Sequence, residues 1–442
     1  MLRIPKSPPP FDELIQEAAQ SGRLEAVLGT TVRPSIRYHH WDKLRHLKPP
    51  DDFSHREWWL SLKFRRGPLA KIVPLQSTER TPFTYVLADP IPERLHDIDL
   101  RGGGVIAMPE PITNPETKDR YLISSLIEEA IRSSQLEGAA TTRAAAGEMI
   151  RAGRSPRDRS ERMILNNFRT MQRIGALRDE RLTKELVCEL HHLITQDTLD
   201  DPSMTGRFRT PDRKIDVGDD YGQTFHIPPR AEELEDRMDV MCAFANHEIP
   251  KEFVHPVIRS MILHFWLAYD HPFVDGNGRT ARALFYWSML RCGYWLCEYI
   301  SISEIILKGP SKYGRAFLHT ETDDNDLTYF LIYHLDVIRQ SFDQLDAYVK
   351  RKTEELHRLE QKLRGLRLLN HRQEAIMSHA LRHPHHDYVI ESHRASHGVT
   401  HQTARTDLLN LAKRGLLDSR KVGREWHFRP SPDLDRRLVE MA

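Results

Sequence analysis

Between His271 and Arg282 the chain reads His-Pro-Phe-Val-Asp-Gly-Asn-Gly-Arg-Thr-Ala-Arg, a run dense in groups able to act on a phosphate. His271 titrates near working pH, which suits a general base. Asp275, four residues on, is a hard oxygen ligand. Mg²⁺ takes one or two such carboxylates and completes its shell with phosphate oxygens and water. Gly276 and Gly278 let the backbone come close to a ligand. Successive N–H groups at a glycine-rich turn that opens a helix form an anion cradle, and the helix dipole adds to it. Arg279 and Arg282 are three residues apart and share a helix face. Both can fork onto phosphate oxygens. Any one of these residues alone would pass for part of an interhelical turn. In this order and spacing they make a kit for holding a polyphosphate and removing a proton beside it.

Such a kit must be held by neighbouring elements. From about residue 117 apolar positions recur at helical spacing, and helices are expected over 117–137, 140–152, 156–177, 182–196, 230–246, 254–269, 278–292, 300–320 and 325–360. The helix over 254–269 ends just before His271 and the next begins in the Gly-Asn-Gly-Arg turn, so the motif is an interhelical loop. Residues 203–229 interrupt the helices. There Gly206-Arg-Phe-Arg209 and a polar stretch through Gly222 lead to Gln223-Thr224-Phe225-His226-Ile227, bounded by Pro228-Pro229. Alternating side chains between turn residues suggest a short β-hairpin, with a solvent loop as the alternative. Residues 1–108 read as a mixed cap: a helical spacing over 11–28, an aromatic-rich stretch over 40–64, short strands within 73–87, and a break at Arg101-Gly-Gly-Gly104.

The run from His271 to Arg282 resembles the Fic family signature, His-x-Phe-x-(Asp/Glu)-Gly-Asn-Gly-Arg-x-x-Arg. It meets that signature at His271, Phe273, Asp275, Gly276, Asn277, Gly278, Arg279 and Arg282. The resemblance extends over roughly residues 110–350 and implies a mainly α, Fic-type helical bundle with a hairpin flap. It implies a protein adenylyltransferase that moves AMP from ATP to a Ser, Thr or Tyr hydroxyl of a target protein. By it His271 is the base, and Asp275 holds Mg²⁺. Gly276, Asn277, Gly278, Arg279 and Arg282 hold the phosphates, with Asn277 on the α-phosphate, and Tyr313 meets the base or ribose. Gln223 to Ile227 form the flap, whose strand edge pairs with the target's backbone; main-chain pairing of that kind gives affinity without reading sequence. Phe273 is expected to anchor the loop. Upstream, Ser133-Ser-Gln-Leu-Glu137-Gly138 is similar to the family's inhibitory signature, (Ser/Thr)-x-x-x-Glu-(Gly/Asn), at Ser133, Glu137 and Gly138. The implied inhibitory helix, 117–138, brings Glu137 to Arg282 as a bidentate pair, keeping that arginine from the γ-phosphate. Family members often dimerise, so a homodimer is among the implied partners.

Composition bounds the alternatives. The 442 residues suffice for two or three domains, and 39% hydrophobic with 29% charged residues is ordinary for a globular protein. A net charge of +1 excludes a polycation aimed as a whole at nucleic acid. Cys188, Cys242, Cys292 and Cys297 are scattered and form no zinc or disulfide framework. No apolar run is long enough for a membrane and the first residues lack a signal core, so no membrane partner and a cytoplasmic location are expected.

The expected division is a cap over 1–108, a catalytic core over 109–365 and a winged helix-turn-helix over 366–442. The last comprises helices over 371–382, 387–396 and 401–415, capped by Thr400 and stopped by Gly415. Strands near 416–420 and 426–429 follow, joined by a wing at Lys421-Val-Gly-Arg424. Residues 371–430 carry ten Lys or Arg against six acids. Gln402, Thr403, Arg405 and Thr406 suit a DNA-reading helix, whereas Asp407 is ill placed for a phosphate wall, so DNA and protein contact both stay open. His383-Pro-His-His386 has no ordered ligand spacing and reads as a solvated loop. Two rival functions remain: removal of AMP at the same site, and a DNA-binding regulator that uses the core as a nucleotide sensor.

Overall fold

The computed structural model describes residues 2–29, 38–50, 52–103, 115–213, 215–219, 222–365, 369–422 and 425–441. The junction expected at 108–109, Gly104, and the wing residues Gly423 and Arg424 lie outside them. By compactness the chain divides into one unit of residues 1–106 with 125–342 and a second of 107–124 with 343–442.

The first unit is a helical bundle built around two helices, Pro256–Asp270 and Asn277–Arg291, whose residues are almost all buried. Apolar residues on every side, among them Phe265, Trp266, Phe285 and Trp287, make both of them core helices. The helices Arg159–Ala176 and Lys184–Thr195 pack on this pair, each started by a side-chain cap, Asp158 to the Glu161 N–H and Thr183 to the Leu186 N–H. The helix Pro115–Leu136 matches the expected one within two residues of its bounds. The helix expected over 300–320 is two, Ile302–Leu307 and Pro310–Glu321. Pro310 has no N–H to continue a helix and starts the second one instead. The N-terminal spacing over 11–28 likewise resolves into Phe11–Gln20 and Leu24–Gly29, broken at Gly22 with φ +67°. An antiparallel hairpin, Lys71–Gln76 with Pro82–Tyr85, supplies the expected strands. The second expected hairpin is present: Val217–Gly218 pairs antiparallel with Thr224–His226.

The second unit holds the helices His371–Arg382, Ile390–His397 and His401–Lys413 and a three-stranded antiparallel sheet, with Glu425–Pro430 between Tyr388–Val389 and Leu417–Val422. Ile376, Met377, Leu408, Leu411 and Phe428 lie in its own apolar core. Thr400 caps the third helix through the Thr403 N–H, and Gly415 follows it at φ +72°. Asp407 turns inward: its carboxylate accepts from Arg372 Nε at 2.7 Å and Asn370 Nδ2 at 2.8 Å, and lies 3.2 Å from His393 Nε2. The objection that Asp407 would face a phosphate wall is therefore corrected. Among the described residues no helix is long and apolar enough to cross a membrane, and no group of three His, Cys, Asp or Glu is placed to hold a metal.

Candidate active site

His271 ends one core helix in the left-handed region, φ +47° and ψ 54°. That conformation is uncommon outside glycine and persists where surrounding bonds over-determine it. Here Arg209 does so: its backbone N–H donates to the Pro272 carbonyl at 2.8 Å, its Nε to the His271 carbonyl at 2.9 Å, and its Nη2 to the Pro229 carbonyl. The His271 Nδ1 lies 3.3 Å from the Ala268 carbonyl. A carbonyl only accepts, so Nδ1 carries the proton and Nε2 keeps its lone pair. Burial pushes the imidazole down to about 4, His226 and Arg209 adding to that shift while Ala268 and Glu137 oppose it. His271 is thus neutral across the physiological range, as a base must be.

The loop after it is closed from within. Asn277 Oδ1 accepts from the Phe273 N–H at 2.9 Å and Asn277 Nδ2 donates to the Phe273 carbonyl at 2.8 Å. The carboxamide that the resemblance assigned to the α-phosphate is thus engaged in shaping the loop, and its backbone N–H is what Asn277 offers an anion. Phe273 is fully buried, as expected, and stacks on His191 at 3.7 Å. His191 in turn bridges two loops, accepting the Gly206 N–H at Nδ1 and donating from Nε2 to the Asp275 carbonyl at 2.9 Å. Gly276 starts the second core helix at φ +82°, where a Cβ would sit 2.7 Å from Thr195 Cγ2. The amides of Asn277, Gly278 and Arg279 are the first-turn donors that no helix satisfies internally.

Arg279 is 1% exposed, and its Nε and Nη2 have no hydrogen-bond partner; Nη1 reaches the Ile194 carbonyl at 3.3 Å. Its Nη2 lies 3.7 Å from Asp275 Oδ1, an ion pair short of a hydrogen bond, so a buried guanidinium at a helix N-terminus keeps donors suited to an anion. Arg282 is satisfied by the upstream motif. Its Nε donates to Ser133 Oγ at 2.8 Å, and its Nη2 to the Ser133 carbonyl at 3.0 Å and to Glu137 Oε1 at 2.8 Å. The expected two-oxygen fork is therefore not what forms. Ser133 takes Nε and one hydrogen of Nη2, so a single Glu137 oxygen meets the other. That oxygen also covers the cradle, since a Cβ on Gly278 would collide with it. Gly138, at φ +90°, turns the chain away just beyond. The helix that carries Ser133 is pinned by Glu129, fully buried, which accepts from Tyr286 Oη at 3.0 Å, Ser301 Oγ at 2.8 Å and the Ser303 N–H at 3.1 Å.

Asp275 is half-exposed. One of its oxygens accepts the Gly276 N–H; the other lies 3.8 Å from Arg159 Nη2. A single accessible carboxylate beside an anion cradle fits Mg²⁺, which needs few protein ligands. Tyr313 lies behind Arg282, its hydroxyl 2.9 Å from His264 Nε2. On the hairpin, Gln223, Thr224 and Ile227 are exposed and Phe225 is half-buried. His226 points inward, Nδ1 2.7 Å from Glu321 Oε2 and Nε2 2.7 Å from the Tyr269 carbonyl.

The matched signature thus converges on one loop, with Ser133 and Glu137 brought to it from far upstream. The model of the Fic/DOC family matches residues 181–289. The chain carries a Fic/DOC domain. A protein adenylyltransferase Fic of Nematostella vectensis is 27% identical over 176 residues, 40% of this chain and 36% of that protein. One of Drosophila mojavensis is 34% identical over 113 residues, 26% of this chain and 20% of that protein. The chain therefore spans about a third or less of the length of these curated relatives. A crystal structure of a Fic family protein from Desulfovibrio desulfuricans G20 shares the fold at 18% identity, with a TM-score of 0.50 over 77% of this chain and 94% of that one.

Sequence reasoning missed His191, Arg209, Glu129 and Arg159 around this loop. Only Arg209 had a local cue, its place after Gly206 in the break between helices.

Proposed function

We propose that this chain is a protein adenylyltransferase restrained by Glu137. The observation that carries the reading is the Glu137 carboxylate seated on Arg282 and over Gly278, beside Arg279, whose Nε and Nη2 make no hydrogen bond. The relatives named as protein adenylyltransferases support the class of reaction. With Glu137 withdrawn, the first-turn amides with Arg279 and Arg282 hold the phosphates of ATP. A target hydroxyl supported by the hairpin attacks the α-phosphorus in line. The new P–O bond forms as the bond to pyrophosphate breaks, and the hydroxyl proton passes to His271 Nε2. Asp275 is the residue to hold Mg²⁺, which when bound neutralises charge on the phosphates. Catalysis is mainly positioning and charge stabilisation. Displacing the reacting phosphorus by about an ångström costs on the order of a hundredfold, so Glu137 need not exclude ATP to silence the site.

The test uses α-labelled ATP. Glu137→Gly should incorporate label into itself or an added protein well above wild type, and the further change His271→Ala should abolish it. Label from the γ position instead, or none from any variant, overturns the reading.

We also propose that the second unit is a winged helix-turn-helix that contacts duplex DNA. The inward Asp407 supports this, because it leaves His401, Gln402, Arg405 and Thr406 on the exposed face of the third helix.

A further inference from the structure

Behind the arginine that Glu137 occupies lies a chain of three groups, two fully buried histidines and the hydroxyl of the half-buried Tyr313. Tyr313 Oη is 2.9 Å from His264 Nε2, and His264 Nδ1 is 3.2 Å from His334 Nε2. Both histidines have no exposed surface, and His334 packs between the rings of Phe285 and Phe330. Its Nδ1 has no hydrogen-bond partner. Burial pushes His264 well down and His334 to about 3, so both rings are neutral.

A neutral ring carries one proton, and the chain has two possible directions. With the proton on His334 Nδ1, a buried N–H donor would be left unmade, which is the costly case. With it on Nε2, the orphan is a bare lone pair. His334 then donates to His264 Nδ1, and His264 Nε2–H donates to the Tyr313 oxygen. The hydroxyl hydrogen is left over. Arg282 stands beside the same hydroxyl. Burial pushes Tyr313 up to about 12, while Arg282 acts against that shift and Glu137 with it. Arg282 is itself a donor, so it too can serve only the oxygen. Neither His264 nor Arg282 can take that hydrogen, and an anion bound on the Arg282 side of the half-buried ring can.

We propose that Tyr313 donates a hydrogen bond to the terminal phosphate of the bound nucleotide, sharing it with Arg282, and that His334 and His264 are positioning residues that fix the direction of that donor. Tyr313 thereby reads the length of the phosphate chain rather than the base or ribose. This rests on the nucleotide-site reading above.

The test is calorimetric and needs no transfer. In the Glu137→Gly background, titration with the β,γ-imido analogue of ATP and with AMP gives two affinities. Adding Tyr313→Phe should weaken the triphosphate analogue about tenfold and change AMP less than about twofold, as loss of one bond to a charged group predicts. Equal weakening of both ligands, or of neither, overturns the inference while leaving the nucleotide site standing. Binding of neither ligand by Glu137→Gly itself overturns both. In the unmutated protein, ¹⁵N spectra of His264 and His334 should show both protonated at Nε2; a proton on His334 Nδ1 overturns the proposed direction.

Discussion

Arg282 has more than one rival for its donors. Glu137 is the charged one, but Ser133 supplies two acceptors to the guanidinium, one at Nε and one at Nη2. Replacing Ser133 by Ala leaves Nε unsatisfied in a buried place, and a hydrogen bond to a charged group is worth about 1.5 kcal/mol or more. The loss falls on the resting arrangement. Self-modification of Ser133→Ala with α-labelled ATP should therefore exceed wild type by about tenfold and stay below Glu137→Gly. A rate equal to wild type would reduce Ser133 to packing. At this scale the sequence was most legible where chemistry forces spacing. A base, a carboxylate, two glycines and two arginines within twelve residues have few other uses. His191 and Arg209 were not legible. A single histidine on a helix, or an arginine in a loop, carries no spacing that tells a scaffold from a surface, and their roles depend on a loop 62 or more residues away.

Helix identities followed from periodicity, because the apolar stripes had to face one core. The misjudged helix over 300–320 shows the limit, since a proline that can open a helix was passed over inside an otherwise helical pattern. The hairpin was legible as a hairpin, but its anchoring was not. His226 sits between two acceptors, the Glu321 carboxylate and the Tyr269 carbonyl, and only a ring protonated at both nitrogens satisfies both. Burial pulls its pKa down, but Glu321, Tyr269 and Asp270 outweigh that and raise it above the ordinary value. Asp270 is itself paired with Arg237 and with Trp266 Nε1, and Glu321 faces the ring from the helix Pro310–Glu321. A group raised in the folded state stabilises fully below its unfolded value, near 6.5, and the gain is lost as pH rises through the folded value. Hydrogen exchange at residues 222–227, corrected for intrinsic rate, should thus show protection at pH 6 that falls at alkaline pH. His226→Asn should remove the pH effect. Equal protection of wild type at both pH values would show that the ring's charge does not hold the hairpin.

For the whole chain a net charge of +1 conceals an uneven distribution, because residues 371–430 carry ten Lys or Arg against six acids. Part of that excess is engaged locally: Arg420 and Arg429 both bond Asp387, and Arg394 bonds Glu391. Arg405 on the third helix and Lys421 on the strand leading to the wing are exposed. Phosphate contacts release counterions, so log affinity falls with log salt by about 0.9 per phosphate neutralised. If the second unit is a DNA reader, the full chain should bind random duplex DNA in fluorescence anisotropy with a clear salt slope. The double variant Arg405→Ala/Lys421→Ala should flatten that slope by about two. Such a loss distinguishes phosphate contact from a fold defect, because misfolding would lower binding at every salt concentration without a matched change of slope. No binding at about 50 mM salt, where even non-specific DNA contacts are strong, would leave the same exposed face as a protein-contact surface.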